Sequence, residues 1–215
     1  MGPGPFLLRV GAASFLLSAT AFVTGVAALY RAEGPNAPNL WVYLADPSGR
    51  AVLDLASKAL TVAVLLWFVG IAIISMTLPP AAESAARLAR YLAAIAAAVF
   101  VGFLSLQFAL GAVLDEGVSP ESPEFRALVL QAHAAADWGG WTGIVLLAAA
   151  LLLLGAALAR QAGRRATGWS AVVLGGLGLA LIPIGFGFLF TILAAIWAVI
   201  AAIDLFRGGR ASGRT

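Results

Sequence analysis

The few polar side chains that could do chemistry in this chain lie in or beside its long apolar segments. Lys58, Gln107, His133 and Asp137 are the clearest examples. His133, Asp137 and Trp141 have i, i+4 and i+8 spacing, so on a helix they share one face. When helix depths are estimated at about 1.5 Å per residue, all of these side chains map to the same end of the helices. This co-location predicts a polar pocket.

In such a pocket Asp137 and Lys58 would balance charge, and Gln107 and His133 would bind a solute or a lipid headgroup. The candidate ligand-binding residues are Lys58, Gln107, His133, Asp137, Trp138 and Trp141. The alternative is that these are interfacial residues in contact with water. In that case the stem of Lys58 extends its ammonium toward solvent, or Lys58 forms a local i, i+4 ion pair with Asp54. Both interpretations remain open at this point.

Other kinds of site receive little support. The chain has no Cys and a single His, which excludes thiolate metal sites, disulfides and bis-His haem ligation within the chain. The acidic stretch from Asp115 to Glu124 lacks the ligand spacing of an EF-hand. The Ser residues have no partner base in a recognisable pattern. We therefore predict no catalytic residues, no metal site and no cofactor.

The elements that must position these residues are long and apolar. The chain is 62% hydrophobic and 11% charged, against about 25% charged residues in soluble domains. A helix of about 20 apolar residues crosses a bilayer core. The apolar segments are Phe6–Tyr30, Val52–Leu78, Tyr91–Leu114, Trp141–Leu158 and Trp169–Phe206. They predict an all-α polytopic membrane protein, with the first segment retained as a helix instead of removed as a signal peptide.

Charge in the linkers predicts the orientation of the helices. Residues 83–90 carry a net charge of +1, residues 115–126 a net charge of −3 and residues 160–167 a net charge of +3, and the tail adds three Arg. Short loops rich in Lys and Arg stay in the cytoplasm. The acidic linker then faces outward, and both termini are cytoplasmic. Because the basic residues lie at helix ends and form no basic face, the pI near 10 does not indicate a nucleic-acid partner.

The last apolar segment, Trp169–Phe206, has 38 residues. A straight helix of that length would span about 57 Å, nearly twice the bilayer core. Pro183, Gly185 and Gly187 favour a break into two helices. The prediction is one transmembrane domain, residues 1–215, with six helices near 6–30, 53–78, 88–113, 127–159, 168–183 and 187–206. A five-helix alternative remains open, as does a mid-membrane break in place of an outer turn at residues 183–187.

Small residues predict close helix packing. Gly11, Ser14, Ser18 and Gly25 fall on one face of the first helix, where small side chains let backbones approach closely in lipid. The main expectation is packing within the chain, and a homodimer or membrane-protein partner at this face is the alternative. A second cluster, Gly175 to Gly178, also predicts close packing.

The segments Asp137-Trp138, Gly168-Trp169-Ser170 and Ile196-Trp197-Ala198, followed by Arg207, resemble a known family. It is a bacterial family of six-helix membrane proteins of about 200 residues, described only as a domain of unknown function. The resemblance implies six helices, an inner-membrane location and no assigned activity or catalytic residues. The high Arg-to-Lys ratio with abundant Ala and Gly also favours a bacterial source.

The expected function is that of a multi-pass protein of the bacterial inner membrane without enzymatic activity. It would be an accessory or interaction protein, or a binder of a small lipophilic ligand at the outer face, with the lipid bilayer as its main partner. A small-solute transporter is the alternative if residues 183–187 form a broken helix at the bilayer midplane. An intramembrane lipid-modifying enzyme that uses the His133–Asp137 pair is a third possibility.

Overall fold

The computed structural model describes residues 3–33, 46–182 and 187–211. Within these ranges the chain is all-helical and contains no strand. The described α-helices are α1 (Pro5–Glu33), α2 (Pro47–Met76), α3 (Glu83–Asp115), α4 (Pro123–Ala159), α5 (Arg165–Leu181) and α6 (Gly187–Ala211). Short 3-10 turns at Pro80–Ala82 and Ala162–Arg164 precede α3 and α5.

Five of these helices are long and apolar enough to cross a membrane: α1, α2, α3, α4 and α6. Their lengths and compositions indicate a membrane protein, as the apolar segments predicted. α5 is shorter, with 17 residues. α5 ends at Leu181 and α6 begins at Gly187, on either side of the segment in which the break was predicted. Residues 183–186, on which the choice between a turn and a mid-membrane break depends, lie outside the described residues.

Two helices begin several residues before the predicted positions because polar residues cap their N-terminal ends. α2 begins at Pro47, before the predicted residue 53, because the Asp46 carboxylate accepts hydrogen bonds from the backbone N–H groups of Ser48 and Gly49. α4 begins at Pro123, before residue 127, because Ser122 Oγ accepts from the Phe125 N–H at 3.1 Å. Hydropathy therefore located the apolar body of each helix, whereas the caps determine where the helix begins.

The helices pack in a ring that follows the chain. Each helix contacts the next, and α6 also packs against α1, so that the ring closes. Phe15 of α1, Trp67 of α2 and Trp197 of α6 meet inside it, with ring centroids 5.6–6.4 Å apart in edge-to-face orientations. Such pairs contribute about 0.5–1.5 kcal/mol beyond burial, and they join the helices on either side of the closure.

The small-residue face of α1 is covered within the same chain. A Cβ on Gly11 would meet Ile73 of α2 and Leu205 of α6, and a Cβ on Gly25 would meet Leu60 of α2. Ser18 Oγ donates to a backbone carbonyl of α2, and Ser14 is buried. This is the expected packing within the chain. Association with a second copy or another membrane protein stays a prediction.

Backbone-to-backbone packing joins α4 and α5. A Cβ on Gly155 would lie 2.7 Å from the Gly168 carbonyl oxygen, and a Cβ on Gly168 would lie 2.2 Å from the backbone nitrogen of Ala159. A Cβ on Gly175 would lie 2.6 Å from the carbonyl oxygen of Ala148, whereas Gly176 has open space around it. Small residues in this register let two membrane helices approach closely.

Candidate functional site

The residues of the predicted outer pocket lie on α2, α3 and α4 as separate local groups. Lys58 Nζ lies 2.5 Å from Asp54 Oδ2, one turn earlier on α2. On α4, His133 Nε2 lies 3.9 Å from Asp137 Oδ2. The side chains of Lys58, His133 and Asp137 are largely exposed and that of Asp54 is partly exposed. The side chain of Gln107, on α3, lies outside the described residues.

The two tryptophans of the predicted pocket are also on the surface. Trp138 is 77% exposed and Trp141 is 43% exposed. None of the described residues of the predicted outer pocket lines the apolar cavity inside the helix ring or the pocket beside Arg164. The structure therefore brings together His133 with Asp137 and Lys58 with Asp54, each within one helix. A single pocket that unites α2, α3 and α4 stays a prediction.

A cavity of about 260 Å³ lies inside the ring of helices. Five helices contribute to its walls: Phe22 comes from α1, Leu60 and Trp67 from α2, Phe100 from α3, Leu147 from α4 and Ala194 from α6. Three of the six lining residues on α3 are alanines, whose small side chains leave space that larger ones would fill. The cavity begins beside the aromatic cluster of Phe15, Trp67 and Trp197 and continues along α1 toward Val26.

The lining of this cavity is almost wholly apolar. Ser18, Trp67 and Thr191 are the polar residues among its described walls, and no Asp, Glu, Lys, Arg or His belongs to them. The Ser18 hydroxyl donates to the Ala63 carbonyl oxygen at 2.7 Å and so is satisfied within the protein. A site of this kind suits a neutral apolar molecule, because a buried charge without a partner is very costly.

Trp67 differs from its neighbour Trp197 in the hydrogen bonding of its indole. Trp197 Nε1–H donates to the Thr167 carbonyl oxygen at 3.2 Å. Trp67 is 7% exposed, and its Nε1–H has no hydrogen-bond partner among the described residues. Trp67 was not among the site residues predicted from the sequence. Its position near the middle of the segment Val52–Leu78 could have indicated it. Trp residues in membrane helices favour the two interfaces, so a Trp in the middle of a segment is unusual.

A second pocket, of about 490 Å³, lies where the end of α2, the start of α5 and the end of α6 meet. Arg164 Nη2 and Nε lie 2.5 and 2.6 Å from Asp204 Oδ2, and Arg164 Nη1 also donates to the Thr77 hydroxyl. The two charged side chains are only 16% and 13% exposed. Thr77 Oγ1 donates in turn to the Ile74 carbonyl oxygen at 2.6 Å. The three residues form one hydrogen-bonded network that ties three helices together.

Asp204 was also not predicted as a site residue, although a sequence pattern indicated it. It is the only charged residue in the 38-residue apolar segment Trp169–Phe206, and an acidic residue in such a segment normally faces the bundle interior and a partner. Its partner, Arg164, was counted only as a topology-determining charge. The pair neutralises itself, so this pocket presents less charge than its residue types suggest.

In residues 3–33, 46–182 and 187–211, no group of three His, Asp or Glu side chains lies close enough to hold a metal ion. The pair of His133 with Asp137 lies on an exposed helix surface. The apolar cavity is therefore the feature with the clearest chemical preference.

Comparison with known proteins leaves these geometric features as the basis for function. No protein-family model matches the sequence, and no curated protein and no solved structure shows significant similarity to the chain.

Proposed function

We propose that this protein is a non-enzymatic protein of the bacterial inner membrane that binds a small, neutral, lipophilic molecule in the cavity inside its helix ring. The observation that carries the proposal is the cavity of about 260 Å³, which has walls from five helices and no charged side chain among its described lining residues. Ligand pockets are concave and mostly apolar, with a few placed polar groups. The proposal includes membership of the bacterial six-helix family that the sequence resembles.

In the proposed topology the chain crosses the membrane six times, with both termini in the cytoplasm. The network of Thr77, Arg164 and Asp204 supports it, because this network gathers the end of α2, the start of α5 and the end of α6 at one end of the bundle. An even number of crossings places these three positions on the same side. The basic linker at 160–167 assigns that side to the cytoplasm.

This orientation places the ligand cavity toward the outer half of the bundle. Its wall on α1 continues from Ser18 to Val26, away from the cytoplasmic start of that helix. The proposed ligand thus lies below the outer face, inside the ring, instead of among the exposed pairs of Lys58 and His133. Its route of entry would be from the surrounding lipid, where a lipophilic molecule is concentrated.

Photolabelling tests the proposal. The purified protein in lipid nanodiscs would be exposed to an alkylbenzene that carries a diazirine, with and without excess n-butylbenzene as competitor. We expect competed crosslinks in the peptides that line the cavity, such as those containing Ala97 and Ala194. Mapping the labelled residues separates binding in the cavity from partition into lipid.

Ala97→Phe and Ala98→Phe form a matched pair of variants. Ala97 is buried and lines the cavity, whereas Ala98, the next residue of α3, is exposed. A phenyl ring at position 97 occupies ligand space, so we expect competed labelling to fall by about tenfold, equivalent to about 1.4 kcal/mol of binding free energy. The ring at position 98 should leave labelling unchanged. Labelling confined to lipid-facing residues, or equal in both variants, would refute binding in the cavity.

A further inference from the structure

We propose that the pocket beside Arg164 binds an anionic phospholipid, with the lipid phosphate at Arg207 and an acyl chain along α6. The site is separate from the cavity inside the helix ring, since the two have no lining residue in common among the described residues. Two features of α6 carry the proposal. One is the charge of the pocket, and the other is an exposed apolar stripe that leads to it.

The charged side chains of the pocket leave one net positive charge. Arg164, Asp204 and Arg207 line it, and Arg164 and Asp204 neutralise each other in their ion pair. Arg207 is exposed and takes part in no ion pair within the part of the chain that the structure describes. Arg is well suited to bind phosphate, because its guanidinium presents several N–H donors in one plane.

This charge favours an anionic headgroup over a zwitterionic one. A phosphodiester without a cationic headgroup carries one negative charge and so matches the pocket. A zwitterionic lipid would also bring an ammonium group. Asp204 is the only carboxylate among the described lining residues, and it is already paired with Arg164. The ammonium group would therefore lie near Arg207 without a free carboxylate to compensate it.

An apolar stripe on α6 ends at the same arginine. Ile196, Ile200, Ile203 and Arg207 have i, i+4, i+7 and i+11 spacing, so they share one face of the helix. All four are exposed. The isoleucines belong to the candidate membrane span Leu189–Gly208, where acyl chains would contact them. Arg207 follows Ile203 by one turn, about 6 Å along the axis, near the end of the span and thus near the depth of lipid phosphates.

The pocket joins these two features. Ile200 and Ile203 line it together with Arg207, and Leu8 of α1 adds to its apolar wall. A soluble phosphate ion would gain only the contact with Arg207, whereas a phospholipid also packs its chain against the isoleucines. Basic pockets between membrane helices are known to bind anionic lipid headgroups. The site therefore fits a lipid better than a free ion.

Native mass spectrometry of the delipidated protein in a mild non-ionic detergent tests the proposal. Dioleoyl phosphatidylglycerol and dioleoyl phosphatidylethanolamine have the same chains and differ in headgroup charge. We expect the first phosphatidylglycerol to bind about fivefold to tenfold more tightly, since one Arg near a membrane surface has an effect of about that size on an anionic lipid. Arg207→Gln should remove most of this preference.

Arg87→Gln is the matched control. Arg87 is exposed at the start of α3, at the same end of the bundle, and does not line the pocket. This variant loses the same charge and should keep the preference for phosphatidylglycerol. Equal losses in both variants would show that surface charge attracts the lipid without a specific site, and would overturn the proposal.

Two further measurements locate the lipid and identify its source. Phosphatidylglycerol with a diazirine in its acyl chain should crosslink to the peptide that contains Ile200 and Ile203, and unlabelled phosphatidylglycerol should compete. Crosslinks spread evenly over the helices, or equal affinity of the unchanged protein for the two lipids, would overturn the proposal even if a variant does not fold. Competition by inorganic phosphate as strong as that by phosphatidylglycerol would assign the site to a free anion instead.

Discussion

The ion pair of Arg164 and Asp204 joins residues 40 positions apart in the chain and is largely removed from water. At such a site, loss of one partner leaves the other charge buried and uncompensated, which costs more than the intact pair contributes. The pair of Asp54 and Lys58 has similar N–O separation but is exposed. Exposed pairs contribute about 0–1 kcal/mol. The two pairs therefore compare a buried ion pair with an exposed one at nearly the same N–O distance.

We expect Asp204→Asn to lower the free energy of unfolding by about 3 kcal/mol, because Arg164 then keeps its charge without a carboxylate. Asp54→Asn should change it by less than about 1 kcal/mol. Unfolding in mixed micelles, followed by circular dichroism, measures both. Similar losses in the two variants would show that burial of the inner pair has little energetic effect.

Asp46 caps α2 outside the apolar part of that helix and provides a prediction about pH. Hydrogen bonds from the Ser48 side chain and then from the Gly49 backbone N–H lower the pKa of Asp46 below its usual value. A carboxyl whose pKa is lowered by folding stabilises the folded state at pH values above its unfolded pKa. That contribution disappears as the pH falls through the lowered pKa.

Ser48→Ala should therefore raise the pKa of Asp46 toward its usual value, since the hydrogen bond with the largest effect is removed. Carbon-13 NMR of the labelled carboxyl group measures the titration. Ser119→Ala, in the linker between α3 and α4, is the control. An unchanged pKa in Ser48→Ala would mean that the backbone N–H groups alone hold the carboxylate.

At the scale of whole helices, the contact between α4 and α5 depends on positions that accept no side chain. We expect Gly168→Ala to be destabilising by about 1–3 kcal/mol, because its Cβ would overlap the backbone of Ala159 and no rotamer change can relieve this. Gly176→Ala on the same helix has open space and should be neutral or stabilising by up to about 1 kcal/mol. Thermal unfolding of the two variants tests this. A destabilised Gly176→Ala would place an unseen partner on that face.

Sequence patterns were sufficient for the features that depend on hydropathy and on local spacing. Length and hydropathy predicted the all-helical membrane architecture, because burial in lipid requires about 20 apolar residues for each crossing. The i, i+4 spacing of His133 and Asp137 correctly indicated that they are neighbours, since that geometry is internal to one helix. The partnership of Arg164 with Asp204 depends on how distant helices dock, and no local spacing encodes it. The internal cavity likewise depends on how distant helices dock, because its walls belong to five different helices.

At the scale of the whole molecule, orientation can be measured cleanly because the chain has no native Cys. Single Cys replacements of Ser119, Gly163 and Ser212 report on the acidic linker, the basic linker and the tail. With six crossings and cytoplasmic termini, a membrane-impermeant thiol reagent should label only position 119 in intact cells. Labelling of positions 119 and 212 together would indicate five crossings, and labelling of positions 163 and 212 without position 119 would indicate six crossings in the reversed orientation.

The closure of the ring by α6 has a consequence for biogenesis. α6 is synthesised after the other described helices, and it provides Thr191, Ala194 and Ala195 to the cavity wall. Without α6, the groove between α1 and its neighbours would be open on that side. Insertion of α6 completes the wall of the cavity, so a chain truncated after α5 would lack the cavity even though most of its wall residues had been synthesised.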